Sequence, residues 1–249
     1  MRKPWRTVVG LLGLLLVAAA GLEINARFPP SFVVTPIDPP ADARVLVLLL
    51  HGSGGREEPA LIGLEQRFTR LAAGRTDVAV MRYIWSPHSD ARLRARVNGR
   101  RVGEALGRAI AARPGLRVVH LVGHSAGAYP VQAFCEAYRS AAPIPARIVT
   151  TFLDPIGFDG AFNPRWGAGV LGHCADYAEA IINTDDPVPA TNSPLTQAWN
   201  VDVTAARGDQ PIDGHRWPVD FYAAQLDVPD IEAAGYNHAT RPRGGVVVR

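Results

Sequence analysis

Lysine is nearly absent from this chain: Lys3 is its only lysine, and every other cationic side chain is an arginine. A Schiff-base enzyme, a serine–lysine dyad and a nucleotide-binding P-loop each require a lysine inside the folded protein. Because Lys3 stands at the very start of the chain, the sequence excludes these enzyme classes.

The chain also lacks an excess of positive or negative charge once residues 1–6 are left out of the count. The 249 residues include 26 cationic and 23 acidic side chains, but Arg2, Lys3 and Arg6 precede the first acidic residue. The rest of the chain therefore carries 23 charges of each sign. This balance gives no indication of a nucleic-acid partner.

Cysteine occurs only at Cys135 and Cys174, which do not have the C-x-x-C spacing of a redox or zinc site. We therefore expect no metal centre and no cofactor. The two cysteines fit either one disulfide in an oxidising compartment or two separate buried thiols, and the sequence leaves both alternatives open.

Residues 1–24 have the pattern of an export signal. A basic start is followed by uncharged residues 8–22, and Ala18-Ala19-Ala20 supplies small residues for cleavage. The same stretch, if retained, would be a membrane anchor. We therefore expect a signal peptide or an N-terminal membrane anchor. The folded part would then be exported, either free in the periplasm or medium or anchored to the cytoplasmic membrane and facing outward.

The remainder of the chain divides into an approach segment and an α/β domain. Closely spaced prolines in residues 25–44 predict an extended segment. From residue 45 to 249, apolar strand patterns alternate with amphipathic helical patterns, which predicts a mostly parallel central sheet with helices on both faces. Strands are expected at 45–50, 78–84, 116–122, 147–153 and 177–183, helices at 61–71, 92–112 and 128–139, and a long loop at 156–176.

A G-x-S-x-G pentapeptide at 123–127, Gly-His-Ser-Ala-Gly, stands between a buried strand and a helix. In the nucleophile elbow of an α/β-hydrolase fold, this context holds the serine in a strained turn, and the glycines allow strand and helix to approach closely. The free N–H groups of the helix N-terminus favour a developing negative charge. We therefore predict that Ser125 is a catalytic nucleophile.

A glycine-rich turn at 51–55, His-Gly-Ser-Gly-Gly, directly follows the first strand. An oxyanion hole needs two converging backbone N–H groups, one from the residue after the nucleophile and one from a loop after an early strand. The sequence predicts these donors to be Ala126 and Ser53.

Three histidines follow Ser125 in the chain, and the α/β-hydrolase order is serine, acid, histidine. His173 leaves little room for an intervening acid, and His238 lies in a polar tail. His215 begins an aromatic segment that would hold a base firmly, so we predict His215 as the base.

Two aspartates compete for the role of the acid. Asp154 ends one buried strand and Asp186 follows the next, so both belong to the catalytic edge of the predicted sheet. The residues alone leave both alternatives open.

The motifs together resemble the pancreatic-lipase family. An HG strand end, a GHSxGA elbow, an LDP sequence and a histidine occur in the same order in that family, and the resemblance covers residues 45–225 as short motifs. In the family the LDP aspartate is the triad acid, so the resemblance implies Asp154 and leaves Asp186 as the alternative. The family's cysteine framework and its C-terminal lipid-binding domain have no counterpart in this sequence.

These residues predict a serine hydrolase that cleaves small-molecule or lipid carboxylic esters through an acyl-enzyme. An acyltransferase or thioesterase would use the same residues, and a non-catalytic binding module with this fold is a further alternative. Four aromatic residues fit either the core or an apolar acyl-binding wall: Phe158, Phe162, Trp166 and Trp217.

Overall fold

The computed structural model of the protein describes residues 4–28, 30–159 and 163–249. Three residues named above lie outside these ranges: Arg2 and Lys3 of the predicted basic start, and Phe162 of the predicted acyl wall.

After an N-terminal helix, strands and helices alternate along the described chain as far as residue 182. The helices are α1 (Pro4–Arg27), α2 (Pro59–Leu71), α3 (Ala95–Ala111), α4 (Ala128–Ala141), α5 (Trp166–Val170), α6 (Thr204–Arg207) and α7 (Trp217–Gln225). The strands are β1 (Val45–Leu50), β2 (Val78–Tyr83), β3 (Val118–His124), β4 (Arg147–Leu153), β5 (Tyr177–Ile182), β6 (Trp199–Asp202) and β7 (Val246–Val248).

The strands form one seven-stranded sheet in the order β2-β1-β3-β4-β5-β6-β7, and every neighbouring pair is parallel. Helical connections between parallel strands cover both faces of such a sheet, which explains the continuous apolar runs of its central strands. The predicted α/β fold with a parallel central sheet is therefore confirmed.

Two hydrophobic cores lie on the two faces of the sheet. Alternate residues of β1 enter different cores: Leu46, Leu48 and Leu50 face one, and Val45, Val47 and Leu49 face the other. The first core contains residues of α3 and α4, and the second contains residues of α2 and α7. A strand buried on both faces cannot shift its register without exposing apolar side chains, so its carboxyl end is held in place.

Several elements differ from the sequence expectations. The predicted loop at 156–176 contains the short helix α5, and the start of the predicted extended segment, residues 25–27, belongs to α1. The predicted helix at 92–112 begins with a separate 3-10 turn at Arg92–Arg94. Strands β6 and β7 were not expected, because four and three residues are too few to show a periodic pattern.

The N-terminal helix is apolar and uncovered. Residues Val8–Arg27 have the length and the mean hydropathy, 2.1, that would allow a membrane crossing, and none of this stretch is buried. A signal sequence has the same properties. Either role remains consistent with the predicted export.

Cys135 and Cys174 form a disulfide that joins α4 to the segment between α5 and β5, with their Cα atoms 6.0 Å apart. Of the two alternatives that the sequence left open, the structure has the disulfide.

Helices α3 and α4 touch backbone to backbone along a stripe of glycines, at positions 99, 103 and 107 of α3. A Cβ atom on Gly103 would lie 2.2 Å from the carbonyl oxygen of Pro130 and 2.7 Å from the amide nitrogen of Phe134. A side chain at this position would therefore force the two helices apart. This packing orients α4, which begins immediately after the G-x-S-x-G segment.

We expect Gly103→Val to lower the free energy of unfolding by about 3 kcal/mol, because the added side chain overpacks the contact between the helices. The matched control is Gly63→Ala in α2, where an added Cβ meets no atom within 4 Å. That change should raise the free energy of unfolding by up to about 1 kcal/mol. Urea denaturation measures both, and equal effects of the two substitutions would contradict the packing described.

Candidate active site

The carboxyl ends of β1, β3, β4 and β5 meet at one edge of the sheet. The register aligns them, because Leu50 pairs with Gly123 and His124 pairs with Leu153. A cavity of about 570 Å³ opens at this edge. Its lining includes four of the five predicted site residues: Ser53, Ser125, Ala126 and His215. Asp154, the fifth, lies behind His215 and is fully buried.

Ser125 occupies the turn between β3 and α4, as the G-x-S-x-G pattern predicts. Its backbone φ is +54°, a left-handed conformation that costs energy for any residue with a side chain. Gly127 relieves the crowding behind it, since a Cβ there would lie 2.1 Å from the carbonyl oxygen of Leu50. The turn directs a strained serine into the cavity at the start of a helix.

The ring of His215 is held by both candidate acids. Its Nδ1 lies 2.8 Å from Asp154 Oδ2 and 2.7 Å from Asp186 Oδ2. Both carboxylate side chains are fully buried. The structure thus brings together the predicted acid, Asp154, and its alternative, Asp186. Because Nδ1 faces the carboxylates, Nε2 is the ring nitrogen available to a reacting group.

Asp186 accepts hydrogen bonds from more donors than Asp154 does. Asp186 accepts from the Thr191 hydroxyl at 2.6 Å and from the Val188 N–H at 3.2 Å, besides His215. Asp154 accepts one such bond, from the Asn183 N–H at 3.0 Å. Donors stabilise an ionised carboxylate, so the negative charge is favoured on Asp186.

The pKa shifts have the directions that this donor set requires. Burial and the hydrogen bond with Asp186 raise the pKa of Asp154 to about 7. Burial alone would raise the pKa of Asp186, but its bonds with Asp154, Thr191 and Val188 outweigh burial and lower it. Two adjacent buried carboxylates cannot both ionise at low cost, so below about pH 7 they share one proton, with Asp154 as its main holder.

The pKa of His215 is raised. Burial alone would lower it, but the hydrogen bond to Asp154 and the charges of Asp154 and Asp186 outweigh burial. The pair therefore makes the imidazole a stronger base than a solvent-exposed histidine.

The same three side chains offer ligand atoms within 4.8 Å of one another, as a metal site would. Ligand atoms around tetrahedral zinc lie about 3.4 Å apart. The separations of 2.7 and 2.8 Å from Nδ1 are those of hydrogen bonds instead. His120 and His124 have helical ligand spacing in the sequence, but they stand on a strand, where a four-residue separation is about 13 Å.

The glycine-rich turn after β1 is held in place by His51 and Trp85. The His51 Nδ1–H donates to the Gly52 carbonyl at 2.7 Å, and Nε2 accepts from the Trp85 N–H at 3.1 Å. The Ser53 hydroxyl donates to the Ser89 carbonyl at 2.7 Å. Gly52 fits directly against Ser125, because a Cβ on it would lie 2.8 Å from Ser125 Cβ. These bonds fix the turn that carries the predicted oxyanion donor.

Two residues of the site were not expected from the sequence, Glu58 and His124. His124 Nε2–H donates to the backbone carbonyl of His215 at 3.1 Å. Its Nδ1 lies 2.7 Å from Glu58 Oε1, although the two atoms are poorly aligned for a hydrogen bond. Burial would raise the pKa of Glu58, but the charge of His124 outweighs it and lowers the pKa. The hydrogen bond of His124 anchors the loop that carries His215.

The aromatic residues divide between the cavity and the core. Phe158 lines the cavity beside Tyr129 and Ile156. Trp217 belongs to the second core and donates through Nε1 to the Val203 carbonyl. Trp166 packs against the first core. The acyl-wall alternative therefore fits Phe158 and not the two tryptophans.

The two rejected histidines lie elsewhere. His238 accepts from the Ala178 N–H at 3.2 Å and donates to the Arg241 carbonyl at 2.9 Å, which ties the C-terminal segment to β5. His173 bonds to the Val170 carbonyl and to Gln132. Neither lines the cavity that contains Ser125.

The shared proton predicts a pH effect on stability. Folded Asp154 keeps its proton up to about pH 7, whereas an unfolded aspartate releases it near pH 4. Between these values the folded state binds more protons, so stability should fall as pH rises, by about 1 kcal/mol per pH unit. Asp154→Asn should remove this contribution.

The measurement is urea unfolding of both proteins at pH 5 and pH 7. The pKa of His120, which burial lowers to about 4, makes stability rise with pH in the same window, but equally in both proteins. The wild type should therefore lose more stability than the variant between the two pH values. Equal changes would contradict a proton held by Asp154.

The chain matches no family model and no curated protein sequence. Among solved structures it is similar to RedJ, whose structure is described as "RedJ with PEG molecule bound in the active site". The two share 21% identity over 66% of this chain and 80% of RedJ, with a TM-score of 0.35. Similarity at this level transfers no activity to this chain.

Proposed function

We propose that this protein is a serine hydrolase that cleaves carboxylic esters through an acyl-enzyme. The observation that carries the proposal is the position of Ser125. Ser125 stands in a strained turn and lines the same cavity as His215. The Nδ1 atom of His215 is held by two buried carboxylates.

In the proposed first step, His215 Nε2 accepts the Ser125 hydroxyl proton while the serine oxygen attacks the ester carbonyl. The tetrahedral intermediate collapses, the C–O bond to the alcohol breaks, and the leaving alcohol takes the proton from His215. Water then attacks the acyl-enzyme with His215 again as the base, which releases the acid and restores Ser125.

The Asp154–Asp186 pair is proposed to support the histidine in this cycle. With one shared proton the pair carries one negative charge, and His215 is positive while it holds the serine proton. The opposite charges then attract across a buried hydrogen bond, which lowers the barrier. The pair also keeps the hydrogen of neutral His215 on Nδ1, so that Nε2 is free to act as base.

The backbone N–H groups of Ser53 and Ala126 are proposed as the oxyanion donors. Both residues line the cavity, and the start of α4 adds the partial positive charge of a helix N-terminus. Loss of one such donor costs about 3 kcal/mol in the barrier. The apolar side chains of Tyr129, Ile156 and Phe158 suit the acyl part of the substrate.

We expect Ser125→Ala to abolish hydrolysis of a short-chain aryl ester by the purified protein, because the attacking oxygen is removed. Thermal unfolding should show that the variant remains folded. An unchanged turnover rate would end the serine-hydrolase proposal. Turnover with an added alcohol or amine acceptor that exceeds hydrolysis would favour an acyltransferase that uses the same residues.

The two carboxylates should respond differently to amide substitution. Asp154→Asn should lower kcat by less than about tenfold, since the amide replaces a protonated carboxyl: its oxygen accepts from the Asn183 N–H, its NH₂ donates to Asp186, and the His215 Nδ1–H still donates to Asp186. Asp186→Asn removes the favoured site of the negative charge and should lower kcat by about three orders of magnitude.

Steady-state kinetics of both variants tests this difference, with KM as the control for substrate binding. The reversed order would assign the charge to Asp154, as the lipase resemblance implies. Equally severe losses would mean that neither carboxylate is the main holder of the proton.

A further inference from the structure

Helix α1 exposes apolar side chains on all of its faces. Leu14, Leu15, Leu16 and Val17 are consecutive, and between 63% and 71% of each is exposed. Because successive helical residues point about 100° apart, no groove on one side of the helix could cover all four. A hydrocarbon phase would cover this helix on all of its faces.

Helix α1 is joined directly to the catalytic body. Arg94 Nε donates to the Asn25 carbonyl at 3.1 Å, and its guanidinium also bonds to the Asn25 side chain. The segment that follows lies along the body: Phe32 stacks on His88 with ring centroids 3.5 Å apart, and the Tyr83 hydroxyl donates to the Thr35 carbonyl. The contacts orient the body relative to α1.

The end of α1 adjoins the mouth of the active-site cavity. Three consecutive residues of the 3-10 turn before α3 make this connection. Arg92 lines the cavity, 60% of Leu93 is exposed, and Arg94 binds Asn25. Three residues after Asn25, just beyond the end of α1, Phe28 is 76% exposed. An exposed apolar group therefore lies where the helix would leave a bilayer.

The 3-10 turn before α3 contributes two cations to the same region, Arg92 and Arg94. Five other arginines in residues 91–117 are paired with carboxylates. Within the described residues, neither Arg92 nor Arg94 forms an ion pair with a carboxylate. Cations beside exposed apolar groups suit the interface of a membrane that contains anionic lipids.

We propose that α1 is retained as a membrane anchor and that a docking surface, residues 25–28 and 92–94, lies against the anionic headgroups of the bilayer. The cavity then opens at the membrane surface and takes long-chain ester lipids from it. The choice of substrate depends on the proposed ester hydrolysis, whereas the docking does not.

The experiment uses the full chain reconstituted in phosphatidylcholine vesicles with or without phosphatidylglycerol. Leu93→Cys carries an NBD fluorophore, and the native cysteines do not react because they form a disulfide. The matched control is Ile144→Cys, 89% exposed in the turn before β4, at the opposite end of the strands from the cavity.

Dithionite, which acts from water, should reduce the label at 93 several-fold more slowly than the label at 144. The difference should shrink when phosphatidylglycerol is omitted. Equal reduction at both positions, or recovery of a chain from which α1 has been cleaved, would overturn the docking. Protection without vesicles that grows with protein concentration would assign the surface to a second copy and would also overturn it.

Leu93→Asp separates docking from catalysis. Its turnover of a short soluble ester should equal that of the wild type, whereas its turnover of a vesicle-embedded long-chain ester should fall several-fold. If the wild type does not cleave the soluble ester, the proposed hydrolysis is refuted, and the labelling result is unaffected. Equal losses on both esters would overturn the substrate assignment.

Discussion

The contact between His215 and two buried carboxylates is the interaction on which the rest of the site depends. Asp154 and Asp186 approach the same ring nitrogen from neighbouring strands, at 2.8 and 2.7 Å. Two full negative charges on carboxylate oxygens within 4.8 Å of each other, away from water, would repel strongly, so the pair retains a proton. The donors around Asp186 favour the charge there, and the imidazole is thereby oriented with its other nitrogen directed to the cavity.

The parallel sheet makes this convergence geometrically simple. Four neighbouring strands end at the same edge, and one part of the site follows each of them. These parts are the glycine-rich turn, Ser125, Asp154 and the loop that contains Asp186. The elbow is tied to the following loop, because the Ile156 N–H donates to the Ser125 carbonyl at 3.2 Å. The cores on both faces of the sheet oppose any shift of one strand past another.

The features that the sequence predicts are those encoded locally. Continuous apolar runs identify the central strands, because burial on both faces requires them, and the pentapeptide at 123–127 identifies the strained turn. The contact of Glu58 with His124 joins residues 66 positions apart that carry no joint pattern. The meeting of both aspartates at one nitrogen depends in the same way on the three-dimensional sheet. Short strands such as β7, with three residues, contain too little sequence to be recognised.

Ser125 as an activated nucleophile is the central assignment, and reaction with a fluorophosphonate probe tests it most directly. The probe phosphonylates a serine only where a base withdraws its proton and an oxyanion site receives the developing charge. Mass spectrometry of the digested protein should show one adduct, on the peptide that contains Ser125. Labelling should be lost when Asp154 and Asp186 are both replaced by asparagine. A folded wild-type protein without an adduct at Ser125, or with an adduct on another serine, would contradict the assignment.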